Sequence, residues 1–337
     1  MTVKQKFWKG LFLAGGAAGV AALAAVNSSI ARGVTAAEGD DGALGGEARA
    51  FASAHGSVYY RAGGASQGRG ETLVFLHDIG AGASSFMWRK NFDALAADFR
   101  VYAPDLLGFG LSDKPAHAPY SADLYVALVR DFLAAELRRP QHHAPVHLVA
   151  GGLSAAFAVR VADEHPALVR SLTLIAPTGA GAFDSRPDLP GAAFYGLLHS
   201  PVLGESFYNA MTSERSLRDY ARKRLFYDRR FATGRLVAHY YAASHQPGAQ
   251  HAVAAYLSGY LNADTREAFA RLAQPVTLVW GKDDITTPLA QADALCRLNP
   301  RARLEVFDRC RMTPQTEHAD SFNDLIRATL NTRSAAA

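Results

Sequence analysis

Cysteine is nearly absent. Two thiols in 337 residues, Cys296 and Cys310, exclude a disulfide framework and a four-cysteine zinc site. They make one bridge at most, and two half-buried thiols fit them better. Strong charge of either sign is also missing. The formal net charge is +4, and no Lys/Arg run with interleaved aromatics occurs, so nucleic acid is not expected as a partner. Metal-ligand spacings are lacking too: His142 and His143 are adjacent in a loop-like stretch with no carboxylate to complete a set. No metal and no cofactor are expected. Gly80-Ala81-Gly82 and Gly108-Phe109-Gly110 read as turns at strand ends rather than phosphate loops. No internal repeat is present.

What the chain has is apolar substance. Hydrophobic residues are 49% and charged residues 20%, which excludes a disordered chain and allows one large domain or two small ones. Lys4, Lys6 and Lys9 flank Phe7 and Trp8, and residues 10–26 are uninterrupted small or apolar sequence. Ser29-Ile30-Ala31 resembles a cleavage site. Residues 1–32 are therefore expected to be an amino-terminal membrane anchor that leaves the main domain outside the cytoplasm. The alternative is a signal peptide whose removal leaves a secreted or periplasmic protein. Residues 33–47, Gly-rich and acidic, read as a linker.

Beyond the linker, short β-rich runs alternate with helical patterns. Strands are expected at 49–53, 57–61, 72–77, 100–104, 146–150, 171–176, 276–280 and 304–307. The first two form a hairpin, and the later ones are apolar throughout, as befits strands covered on both faces. This predicts an α/β fold: an eight-stranded, mostly parallel sheet with helices on both faces. About a hundred residues separate the strands ending at Ala176 and starting at Val276, far more than one crossover needs. Residues 178–262 are read as an inserted helical cap over the ligand-binding edge of a core formed by 48–177 and 263–333.

Four segments resemble the α/β-hydrolase family, in particular its lidded, esterase- and dehalogenase-like members. They are LHDIGAGASSFMWRKNFDALAADFRVYAPDLLGFGLSDKP (76–115), HLVAGGLSAAFAVRVADEHPALVRSLTLIAPTG (147–179), TLVWGKDDITTPL (277–289) and LEVFDRCRMTPQTEHADSFNDLI (304–326). The resemblance implies a nucleophile on a G-x-S-x-G turn after the fifth strand. Counting back from His165-Pro166 puts Gly152, which has no attacking atom, at that position. Ser154, two residues on, is either an alternative nucleophile or a serine satisfying N–H groups in the first turn of a helix. The acid position falls on Asp284, and the histidine position holds Met312, whose thioether takes no proton near neutral pH. The resemblance further implies oxyanion donors at the backbone N–H groups of Ile79 and Leu153. His77-Asp78 replaces the family's His-Gly, so a carboxylate stands near where negative charge must develop.

These departures lead to the expectation of a non-catalytic protein that binds a small apolar ligand or a protein partner in its lidded cleft, with standard serine-hydrolase activity absent. The alternative is an active hydrolase with relocated groups: Ser154 or a water as nucleophile, with His77 or His318 as base.

Overall fold

The computed structural model describes residues 19–30, 44–64, 71–137, 144–180, 185 and 187–334. The first described helix, α1 (19–30), precedes the sheet. The strands are β1 (Glu47–Ser53), β2 (Gly56–Gly63), β3 (Thr72–Leu76), β4 (Arg100–Pro104), β5 (Val146–Gly151), β6 (Val169–Ile175), β7 (Val276–Gly281) and β8 (Arg303–Phe307). They form one sheet in the order β1-β2-β4-β3-β5-β6-β7-β8. The pairings of β1 with β2 and of β2 with β4 are antiparallel, and all others are parallel.

The apolar runs explain this layering. Every residue of β3, β5 and β7 is buried, because helices cover both faces and leave no solvent side on which polar residues would alternate. One face carries α2 (Phe92–Ala96) and, at the carboxyl end, α13 (Ala319–Ser334), which bury Phe92, Phe322 and Ile326 against Phe75 and Trp88. The other carries α3 (Ala122–Leu137) and α4 (Gly152–Glu164), with α10 (Arg266–Arg271) and α11 (Ala290–Leu298) beside them. Each fully buried aromatic or aliphatic side chain contributes roughly 1.5–3 kcal/mol relative to exposure. α4 is alanine-rich, which suits a helix wedged against the sheet. It stops at His165 because Pro166 disfavours helical backbone in the residue before it.

Between β6 and β7 lie α5 (Leu189–Leu198), α6 (Leu203–Met211), α7 (Glu214–Tyr220), α8 (Gly234–Ser244) and α9 (Ala249–Leu257). Side chains of the last four helices face the carboxyl ends of the strands and roof the crevice there. A short helix, α12 (Pro314–Glu317), follows β8.

The amino-terminal segment is described only in part. No helix among the described residues is long and apolar enough to cross a membrane. Residues 1–18 and 31–43 lie outside the described residues, and with them the lysines, Ala31 and most of the expected linker. The described part, α1, docks on the cap. Its buried Asn27 donates to the Val202 carbonyl (3.3 Å) and Ser206 Oγ (3.1 Å) and accepts from Asn209 Nδ2 (3.0 Å). Among the described residues the expected membrane anchor has no support. The asparagine that follows the apolar run seats α1 against protein.

Candidate active site

The winding of the sheet reverses at β3, since β4 lies on one side of it and β5 on the other. The loops that follow β3 and β5 therefore part, which is where ligands bind in open α/β sheets. A cavity of about 340 Å³ occupies the gap, toward the small end of ligand sites. Its floor includes Asp78, Ile79, Gly152, Leu153 and Ile175, and Met312 with Thr286 and Thr287 close one side. Tyr220, Tyr240, Val253 and Tyr256 come down from the cap.

β5 enters α4 through a sharp bend. Gly151 is extended, and Gly152 has φ +52°, in the left-handed region that favours glycine. The side chain above that bend is Asp78. Its Oδ1 accepts hydrogen bonds from the Ile79 N–H (2.7 Å) and the Leu153 N–H (2.9 Å). A Cβ at position 152 would overlap the Asp78 carboxyl group. Glycine at 152 and aspartate at 78 are thus complementary, the one leaving the space that the other fills. The two amides that the family resemblance assigns to an oxyanion are engaged by this carboxyl instead.

The backbone around Asp78 is pinned. The His77 carbonyl accepts from Ser154 Oγ (2.5 Å), His77 Nδ1 donates to the Asp78 carbonyl (2.7 Å), and the Asp78 N–H donates to Met87 Sδ (3.4 Å). The Leu153 N–H lies in the first turn of α4, where no intrahelical acceptor exists and the helix dipole favours negative charge. Burial nonetheless dominates. It raises the Asp78 carboxyl above the ordinary carboxylate range, the two amides pull it down, and the Asp284 carboxyl pushes it up further.

Asp284 follows β7. Its Oδ1 accepts from the Thr286 and Thr287 N–H groups (2.8 and 3.1 Å), and its buried Oδ2 has no partner among the described residues. Burial raises it too, against the pull of those amides and of Arg311. Met312 lines the cavity, and its sulfur is 3.8 Å from the Tyr220 hydroxyl.

The other residues singled out in the sequence are not brought together as a catalytic set. Ser154 is fully buried, bonded to the His77 carbonyl rather than to its own helix's amides, and absent from the cavity wall. His77 reaches the wall, but its Nε2 accepts from the Leu106 N–H (2.9 Å) and burial lowers its pKa, so it is a neutral strut. His318 packs on Phe307 behind the loop that carries Met312. Cys296 and Cys310 are both free. Ser154→Ala is expected to leave turnover within a few-fold and to cost about 0.5–1.5 kcal/mol of stability in urea unfolding, through the lost bond to the His77 carbonyl. A fluorophosphonate adduct on Ser154 would contradict this.

Two features escaped the sequence. Tyr220, Tyr240 and Tyr256 line the roof close enough to feel the Asp78 charge, and burial first and then that carboxyl raise the Tyr220 and Tyr256 hydroxyls above their usual range. Ser84, on the cavity wall, lies with its Oγ 2.8 Å from Nε2 of His239, whose ring stacks on Phe86. Helical spacing shows that the cap aromatics share faces, but not which core residue they meet.

Comparison with known proteins supplies the family. The family model described as alpha/beta hydrolase fold matches residues 71–319. A 2-hydroxymuconate semialdehyde hydrolase of Pseudomonas sp. strain CF600 is 31% identical over 280 residues, covering 80% of this chain and 90% of the relative. A 2-hydroxy-6-oxo-2,4-heptadienoate hydrolase of Pseudomonas putida is 29% identical over 271 residues, covering 77% and 88%. The solved meta-cleavage product hydrolase of Pseudomonas fluorescens superposes with a TM-score of 0.69 at 25% identity, covering 87% of this chain and 100% of that one. Relatives over most of the chain are named as hydrolases. This overturns the expectation of a non-catalytic binding protein without hydrolase activity, and favours the alternative, an active hydrolase with relocated groups.

Proposed function

Because the chain belongs to the α/β-hydrolase fold family, we propose that it is a hydrolase of a small, largely apolar carbonyl compound in which Asp78 and a water do the work of an elbow nucleophile. One observation carries the reading: the Asp78 carboxyl fills the space above Gly152, with Oδ1 held by the Ile79 and Leu153 amides. That leaves Oδ2 as the base. Its raised pKa makes it a stronger proton acceptor than a solvent-exposed carboxylate.

In the proposed reaction a water between Oδ2 and the substrate gives its proton to Asp78 as its oxygen adds to the carbonyl carbon. The carbonyl oxygen takes up the negative charge. With the two amides engaged, the donor to that oxygen is the Tyr220 hydroxyl, which among the described residues donates to the weak thioether acceptor of Met312. Collapse of the adduct breaks the bond to the leaving group, which receives the proton held by Asp78. An ester supplies an oxygen leaving group. A carbon leaving group must be stabilised as a conjugated enolate.

The pH profile tests this on short-chain aryl esters. Asp78 works ionised, so kcat/KM is expected to rise with pH through an apparent pKa above the ordinary carboxylate range. Asp284 pushes that pKa up, so Asp284→Asn moves the limb toward lower pH. An acid limb that stays in place in Asp284→Asn counts against Asp78 as the base.

A second reading rests on the Ser84–His239 pair, a hydroxyl and an imidazole in hydrogen-bond contact at the cavity wall. Fluorophosphonate labelling of Ser84, lost in Ser84→Ala, together with full activity in Asp78→Asn, would favour it.

A further inference from the structure

The cavity wall carries an acid and no base of opposite charge. Among the described residues that line it, Asp78 is the one formally charged side chain, and no lysine or arginine is present. The two arginines whose charge is felt at Asp284 and at the Tyr240 hydroxyl, Arg311 and Arg89, are committed elsewhere. Arg311 Nη1 donates to the Lys223 and Phe226 carbonyls. Arg89 lies over the Phe86 ring and donates to the Phe86 carbonyl. Asp284 adds a second carboxyl behind the wall, with a buried oxygen that has no partner among the described residues. The remaining polar side chains are neutral, the His77 imidazole and hydroxyls that include those of Ser84, Thr286, Tyr220, Tyr240 and Tyr256. A substrate carboxylate placed here would lose its water, find no cation, and face one carboxyl with another close behind. A neutral carbonyl oxygen needs only a hydroxyl donor.

We infer that the cleft selects uncharged carbonyl substrates and rejects carboxylates, which would separate this chain from its dienoate-hydrolysing relatives. The inference rests on the cavity being the substrate site, as proposed above, but not on the role given there to Asp78.

The test uses two ligands of the same size that the proposed reaction does not cleave. 1-Phenylpentane-1,4-dione is neutral, and 4-oxo-4-phenylbutanoate replaces its terminal acetyl group by a carboxylate. Binding of each to the full chain is measured by titration calorimetry near neutral pH. The diketone is expected to bind, and the keto acid to bind at least about tenfold more weakly. Equal or tighter binding of the keto acid overturns the inference, as does absence of diketone binding up to its solubility limit. Asp78→Asn keeps diketone binding while losing turnover, so a failed mechanism and a failed selectivity give different results.

Discussion

Asp78→Asn is expected to make the protein more stable and to abolish most of its activity. The asparagine amide oxygen accepts the Ile79 and Leu153 N–H groups as Oδ1 does now, and the side chain keeps its shape above Gly152. What disappears is a charge that the fold disfavours. The sign follows from linkage. A carboxyl whose folded pKa is raised favours folding fully at pH values below its unfolded pKa. That contribution is lost as pH rises through the folded pKa, because the folded chain must then hold the ionised form against burial and Asp284. The variant therefore matches the parent in acid and exceeds it increasingly through that window. At neutral pH and above the gain is about 0.5–2 kcal/mol, typical of relieving a functional site of its strain. The same substitution removes the proton acceptor, and kcat is expected to fall by roughly 10²–10⁴. Thermal unfolding across a pH series, alongside ester hydrolysis, checks both halves. A variant less stable than the parent at every pH would show that Asp78 is structural. A variant that retains activity would show that the base lies elsewhere.

The opposed signs of these effects mark what the sequence could and could not say. Strands such as LVFL and HLVA were legible because burial on both faces leaves a continuous apolar run, and all eight fall where patterning puts them. The hundred-residue interval before Val276 announced the cap by length alone. Gly152 was legible as a bend because a fixed spacing separates it from the His165-Pro166 stop. The direction of the Asp78 side chain was not legible. Its partner Leu153 is 75 residues away, and no local pattern says whether a carboxylate after a strand turns to solvent or into the fold. Read alone, Gly152 looks like a deletion of function and Asp78 like an obstacle to it. Seen together in space they are one arrangement, the aspartate of one loop filling the room that the glycine of its neighbour leaves. The tyrosines of the roof were hidden for the same reason, since their helices reveal periodicity but not the surface they cover.

That arrangement predicts how positions 152 and 78 respond to substitution. Gly152→Ser alone places a side chain on left-handed backbone, at about 1–2 kcal/mol, and forces it into the Asp78 carboxyl, at about 1–3 kcal/mol. The single variant is expected to lose the total and to remain unreactive toward a fluorophosphonate. In the Asp78→Gly background the overlap is gone and only the backbone cost remains, so the two substitutions are coupled by about 1–3 kcal/mol in a double-mutant cycle read from urea unfolding. Asp78→Gly also frees the Ile79 and Leu153 amides, which then face the new hydroxyl as oxyanion donors. Met312→His puts an imidazole on the cavity wall, at the position that the family resemblance gives to the histidine. With all three substitutions in place, the probe is expected to label position 152, and with Gly152→Ser alone it is not. The order matters physically, because a hydroxyl cannot occupy the elbow until the carboxyl has left it. Additive energies in the cycle would mean that Asp78 does not fill the space above the bend, and would remove the observation on which water activation by this residue stands.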